Sequence, residues 1–302
     1  MLPTRNGSIH LFRLGGIDVY LHWSWFLVAI YMVSYRLGRY STFFWAVLEY
    51  LTLFCIVLMH EFGHSLACRS VGGRADQIIL WPLGGVAYVD PPPRPGATLW
   101  SIAAGPLVNL GLFPILSGAV LLARMQGWIS TAPNLYQFVE AIWFINAILL
   151  GFNLLPVYPL DGGQILRSLL WFAVGRARSL MIASTIGLIA IVLLVAFAFS
   201  TLRNDPWLIV LAVFAVFQCW GGLQQARVLA RIEAAPPHLG LACPNCKTPP
   251  PSGNFWICGQ CRHPFDMFAT RGVCPNCGMI FNGTRCLQCG QSNPLYAFNQ
   301  SS

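Results

Sequence analysis

Charge is scarce in this chain. Only 9% of its 302 residues are charged, and just ten of them are Asp or Glu. Soluble domains carry about 25% charged residues, so an ordinary water-soluble globule is excluded. With 56% apolar residues and a mean hydropathy of +0.61, most of the chain is suited to lipid. Cysteine is rare over the first 235 residues, where only Cys55, Cys68 and Cys219 occur. Each lies alone in or beside an apolar stretch, as a small buried side chain would. The first twenty residues lack a clean apolar core and a small-residue cleavage site, so no cleavable signal peptide is expected. No nucleotide-binding or PDZ-like unit is visible. Nor is an inverted repeat, which argues against a metal transporter.

Six apolar runs read as membrane helices: residues 22–35, 42–67, 98–122, 138–152 with a broken continuation to 173, 179–200 and 207–222. The fold expected is an all-α polytopic membrane protein of about six transmembrane helices. An even number of crossings leaves both termini on one side. Ten arginines lie near helix ends on that side, Arg5 and Arg176 among them, against Arg36, Arg39, Arg124 and Arg203 on the other. That bias predicts cytosolic termini. It also accounts for the net charge of +8 without nucleic acid, and a basic rim of this kind suits anionic lipid.

Inside the second run, after residues 43–59 with their single charge Glu49, comes His60-Glu61-Phe62-Gly63-His64. On a helix, residues four apart lie about 40° apart around the axis, so His60 and His64 share a face. Two imidazoles so placed can hold one Zn²⁺, with Glu61 beside the metal as general base. Gly63 keeps that face low, so an extended peptide is expected to approach there. Chance gives about 0.002 such matches for this composition. Two core histidines beside a buried acid are the other bland reading, but uncompensated ionisable groups at bilayer depth cost about 2.5–3.5 kcal/mol each.

A catalytic zinc takes three protein ligands, and Asp161 is the best third. It ends Asn153-Leu154-Leu155-Pro156-Val157-Tyr158-Pro159-Leu160-Asp161-Gly162-Gly163. Two prolines three apart cannot continue an α-helix, and broken backbone at membrane depth is tolerated where it lines a cavity or is buried in protein. A helix is expected to restart at Gln164. Asp161 could equally be its N-cap, and the two roles are compatible.

Together these motifs resemble the site-2 proteases, intramembrane zinc metalloproteases that combine H-E-x-x-H with a later N-x-x-P-x-x-P-x-D-G. His60, Glu61 and His64 match the first motif, and Asn153, Pro156, Pro159, Asp161 and Gly162 the second. Gly105-Pro106-Leu107-Val108-Asn109 is a third family-like element. The resemblance covers about residues 8–222. It implies that Asp161 is the third ligand and that Asn109 and Asn153 bind or orient the substrate backbone. It also implies regulated cleavage of a single-span membrane protein substrate within the lipid bilayer.

Residues 74–90 read as a β-hairpin turning at Pro82-Leu83-Gly84-Gly85. An exposed strand edge there would let an unwound substrate add as a strand. Glu49 lies about 16 Å along the helix from His60, suited to a water path or the far interface. His22, beside Trp23 and Trp25, reads as an interfacial anchor rather than a ligand.

After Pro236-Pro237 the composition changes. Four C-x-x-C pairs follow: Cys243/Cys246, Cys258/Cys261, Cys274/Cys277 and Cys286/Cys289. Four thiolates make a closed structural zinc site, so residues 236–302 resemble a small cytosolic tandem zinc-ribbon domain with Cys₄ sites, following a membrane-embedded metalloprotease domain at 1–235. One catalytic and two structural Zn²⁺ are expected. Disulfides suit a cytosolic tail poorly, and Cys₄ sites also accept iron. Sequential pairing gives two successive ribbons, while a crossed pairing joins the first knuckle to the third and the second to the fourth. Seven aromatics and modest basicity point to a cytosolic protein partner and away from nucleic acid.

Overall fold

The computed structural model describes residues 7–81, 84–201 and 206–298. Arg5 and Arg203 of the charge-bias argument, and Pro82 and Leu83 of the expected turn, lie outside them. The chain opens with β1 (Ser8–Leu14) and β2 (Ile17–His22), then α1 (Ser24–Arg36), α2 (Phe43–Ser70), β3 (Arg74–Trp81) and β4 (Gly84–Asp90). Next come α3 (Pro95–Met125), α4 (Trp128–Thr131), α5 (Pro133–Asn153), α6 (Asp161–Val174), α7 (Arg176–Thr201) and α8 (Pro206–Ala234). Four short strands complete it: β5 (Trp256–Ile257), β6 (Pro264–Phe265), β7 (Gly283–Arg285) and β8 (Ser292–Pro294).

The expected all-α architecture with one hairpin needs correcting. The β3–β4 hairpin is present, but inside a four-stranded sheet ordered β1-β2-β3-β4. β2 runs parallel to β3, so α1 and α2 form the crossover between them. β1 turns into β2 through Gly15 and Gly16, both at positive φ (57° and 77°), a two-residue turn that glycine alone adopts freely. Ile17 and Val19 of β2 and Ile78 and Leu80 of β3 bury against Trp25 of α1 and Val57 of α2. This core holds the sheet against the helix that carries the H-E-x-x-H motif.

Among the described residues, four helices are long and apolar enough to cross a membrane: α2, α3, α5 and α7 through Leu193. The expected first span is a 13-residue helix, too short to cross the hydrocarbon by itself. The fourth breaks where its prolines predict. α5 ends at Asn153 and α6 begins at Asp161, earlier than the restart expected at Gln164. Asp161 is not the N-cap, because Leu160 holds that position. Between the helices, Gln164 Nε2 donates to the Pro159 carbonyl at 2.8 Å, and the Cys219 thiol to the Tyr158 carbonyl at 2.9 Å. A Cβ on Gly162 would lie 2.3 Å from the Leu154 carbonyl oxygen, so only glycine lets the chain fold back this closely.

Gly63 has a different use from the one expected. Its Cβ would stand 2.8 Å from the Ala104 carbonyl oxygen, so the low face of α2 is filled by α3, not left for a peptide. Small residues allow two membrane helices this close an approach. Glu49 is 1% exposed and fully engaged, 2.8 Å from Arg36 Nε and accepting the Tyr40 hydroxyl at 2.5 Å. That removes the water-path reading. His22 is buried and stacks on Trp81 at 4.3 Å, bracing the end of the sheet.

In the C-terminal segment, the Ala242 N–H donates to the Phe298 carbonyl at 2.7 Å, tying its ends together. Asp266 organises the interior, accepting N–H groups from Gly253 (2.6 Å), Phe268 (3.0 Å) and Ala269 (3.1 Å) and facing the His238 ring at 3.0 Å. Burial pushes the Asp266 carboxyl up, but the Ala269 and Gly253 N–H groups, His238 and the Phe268 N–H outweigh it and hold it below the usual carboxylate range. Asp266→Asn brings an amide N–H against these donors. It is expected to cost about 2 kcal/mol and to make residues 236–298 more sensitive to limited proteolysis; an unchanged digestion rate would show that these bonds contribute little.

Candidate metal centre

α2 presents His60 and His64 on one face, each 6% exposed, and the start of α6 brings Asp161 to the same point. His60 Nε2 lies 3.0 Å from Asp161 Oδ2 and 3.1 Å from His64 Nε2, while His64 Nε2 lies 3.4 Å from Asp161 Oδ2. A tetrahedral zinc with bonds of about 2.1 Å spaces such ligand atoms by about 3.4 Å. The donor set and its spacing fit that ion.

The far side of each imidazole is held. His60 Nδ1 is 2.6 Å from Asn109 Oδ1, and His64 Nδ1 is 2.9 Å from the Ser101 carbonyl. Both partners are pure acceptors at those atoms, so each Nδ1 carries the proton and each Nε2 offers a lone pair inward. Asn109 in turn donates to Asn146 Oδ1 at 2.8 Å, and the Asn146 amide donates to the Asn109 carbonyl at 3.0 Å. Asn109 and Asn146 are both fully buried.

α3 completes the cradle from above. A Cβ on Gly105 would lie 2.2 Å from His64 Nε2 and 2.7 Å from His60 Nε2. No side chain fits at that position, which leaves space beside both Nε2 atoms.

The Peptidase family M50 model matches residues 49–125 and 113–197, which include all three of these residues. A zinc metalloprotease of Methanocaldococcus jannaschii is 34% identical over 224 residues, 74% of this chain and 62% of that protein. The chain belongs to peptidase family M50. Stage IV sporulation protein FB of Bacillus subtilis is 32% identical over 120 residues, 38% of each chain. The solved Site-2 Protease from Methanocaldococcus jannaschii is 30% identical, with a TM-score of 0.48, over 72% of this chain and 95% of that one. The chain spans less than two thirds of the length of the curated relatives it matches. With its apolar helices, this M50 chain is a multi-pass integral membrane protein.

Glu61, 6% exposed, lies beside the histidines on α2 and reaches the sheet. Its Oε2 accepts the Ala87 N–H at 2.9 Å. β4 is the last strand of the sheet and pairs with β3. At Gly85 a Cβ would lie 2.3 Å from Glu61 Cγ, so the hairpin rests directly on the carboxylate.

The substrate role implied for Asn109 meets a contrary geometry: both ends of its amide are engaged inside the protein, and it orients His60. Asn153, the last residue of α5, is half-buried with no side-chain hydrogen bond among the described residues. Asn146 and Ser101 escaped the sequence reading. A lone Asn within an apolar membrane helix was the available signal for Asn146; the Ser101 contact uses a backbone carbonyl, which has none.

The eight cysteines of the C-terminal segment form two further clusters. Cys243, Cys246, Cys286 and Cys289 make one; Cys258, Cys261, Cys274 and Cys277 make the other. The first knuckle therefore meets the fourth and the second meets the third, a nested arrangement that corrects both the sequential and the crossed pairing. The Ala242–Phe298 bond that closes the segment brings its outer knuckles together. Sulfur separations of 3.7 and 3.8 Å in the outer cluster and 3.6 Å in the inner one match the roughly 3.8 Å of a tetrahedral Zn–S₄ site. They are far from the 2.05 Å or so of a disulfide. All four knuckles place the residue after their second cysteine at positive φ: Lys247 (60°), Arg262 (61°), Gly278 (73°) and Gly290 (73°).

Proposed function

We propose that this chain is an intramembrane zinc metalloendopeptidase that hydrolyses a peptide bond in a membrane-spanning segment of another protein. The observation that carries this reading is the outward hold on both imidazoles, which aims His60 Nε2 and His64 Nε2 at the Asp161 carboxylate. His60, His64 and Asp161 hold the ion, and Glu61 sits beside it as general base. When bound, zinc acidifies water and polarises a carbonyl. Glu61 takes the proton of the attacking water and passes it to the leaving amine. Asn109 and Asn146 keep the His60 ring in its productive tautomer. The free edge of β4 receives the substrate as an added strand beside Glu61, supplying backbone hydrogen bonds that lipid cannot. Asn153, half-buried at the break, is the remaining candidate for a substrate contact.

The family resemblance supports a single-span membrane protein substrate and a role in regulated intramembrane proteolysis. The arginine bias supports cytosolic termini. Residues 236–302 act as a cytosolic zinc-binding domain carrying two structural ions, and they recruit substrate or regulate the membrane-embedded domain of residues 1–235 by contacting a protein.

The test is cleavage of tagged single-span membrane proteins by wild type and Glu61→Gln, with zinc counted in each. Cleavage by wild type alone, at equal zinc content and with a loss of at least about 10³-fold in the variant, is the expected result. Equal cleavage by Glu61→Gln would remove Glu61 from the mechanism.

A further inference from the structure

Two arginines on the tail-facing side of the membrane helices lack an anion. Arg167 lies in α6 one turn before Trp171, and Arg176 opens α7. Their guanidinium carbons stand 5.9 and 5.7 Å from the centre of the Trp171 ring. The Nε atom of each is shut off from solvent and has no hydrogen-bond partner among the described residues. Arg176 makes one long contact, Nη1 to the Gln288 carbonyl at 3.4 Å. Glu233 of α8 attracts Arg176 from a distance without an ion pair.

Two half-buried cations around one indole repel each other, and a single aromatic face does not neutralise both. Among the described residues the buried carboxylates all face a cation or a donor: Glu49 has Arg36, Asp161 the two histidines, Asp266 His238 and Glu61 the Ala87 N–H. The two arginines call for an anion from outside the chain. Guanidinium groups bind phosphate through paired N–H donors better than any other side chain does. Height in the membrane narrows the source. Arg176 is the first residue of an apolar span running to Leu193, so it marks the edge of the hydrocarbon. Tryptophan favours that level, and basic pockets between membrane helices there take anionic headgroups.

We propose that Arg167, Trp171 and Arg176 form a phosphate-binding site at the membrane surface, filled by the headgroup of an anionic phospholipid. The site is separate from the metal centre, and its test does not depend on peptidase activity.

The full chain is released for native mass spectrometry from micelles holding equal phosphatidylglycerol and phosphatidylcholine, and from micelles of phosphatidylcholine with inorganic phosphate. Preferential retention of phosphatidylglycerol is expected, reduced about thirtyfold in Arg167→Gln/Arg176→Gln at one surface-charge contribution per arginine. Arg178→Gln, a neighbouring exposed arginine, should keep the preference. Binding of inorganic phosphate that needs the same two arginines would show the same site taking free phosphate. Retention of phosphatidylglycerol by the double variant as strong as by wild type, at equal zinc content, overturns the proposal. Should the double variant aggregate, wild type alone decides: equal retention of the two lipids with no phosphate bound also overturns it.

Discussion

Gly105→Ala is expected to empty the membrane-embedded metal site while leaving the cysteine clusters filled. The added methyl would sit 2.2 Å from His64 Nε2 and 2.7 Å from His60 Nε2, close to the bond length of about 2.0–2.1 Å that a zinc ion needs from the same atoms. Methyl and metal cannot both be there. Neither imidazole can retreat, because Asn109 and the Ser101 carbonyl hold their far sides. Metal analysis should then fall from about three zincs per chain to about two, and cleavage should be lost with the missing ion. Gly111→Ala and Gly118→Ala are the controls: they lie in the same helix with nothing within 4 Å of the added carbon. Each should keep its zinc and gain up to about 1 kcal/mol of helix stability. If Gly105→Ala binds zinc and cuts as well as wild type does, the cradle described for α3 is wrong.

This cradle marks the boundary of what the sequence discloses. His60, Glu61 and His64 are legible because helical periodicity alone puts the two imidazoles together, whatever surrounds them. Asp161 is legible because two prolines and two glycines break a membrane helix beside it, and few folds tolerate that for nothing. The outer contacts are another matter. That Asn109 backs His60, and Asn146 backs Asn109, depends on how α2, α3 and α5 cross, which no local pattern records. Gly63 and Gly105 look alike in sequence, yet one admits a neighbouring helix and the other leaves room for an ion. β1 and β2 had a readable signal in their Gly15-Gly16 turn, but the apolar helices after it drew the reading toward an all-α protein. Knuckle spacing identifies the four cysteine pairs as metal ligands without saying which pairs share a metal, because that depends on contacts distant in sequence.

Paired cysteine variants turn the nested arrangement into a counting experiment with an unambiguous sign. In the structure Cys243 and Cys289 face each other at 3.7 Å, 46 residues apart and in one cluster. Cys243→Ser/Cys289→Ser should therefore release one structural zinc and no more. Were the knuckles paired in sequence, the same double variant would damage two sites and release two. Cys246→Ser/Cys258→Ser reverses the test. These residues belong to different clusters here, so both structural zincs should leave, whereas successive ribbons would lose one. The membrane site should keep its ion in each variant, which provides an internal standard. Because four thiolates supply most of the folding energy of so small a segment, the outer double variant should also release the Ala242–Phe298 closure. The contact of Arg285 with Asp90 at the base of the β3–β4 hairpin, 3.0 Å in the intact protein, should go with it. If regulation passes from the tail to Glu61, it has this route: β7 to Asp90, then along β4 to the Ala87 N–H. Cleavage that stays unchanged when the outer ion is lost would rule that route out.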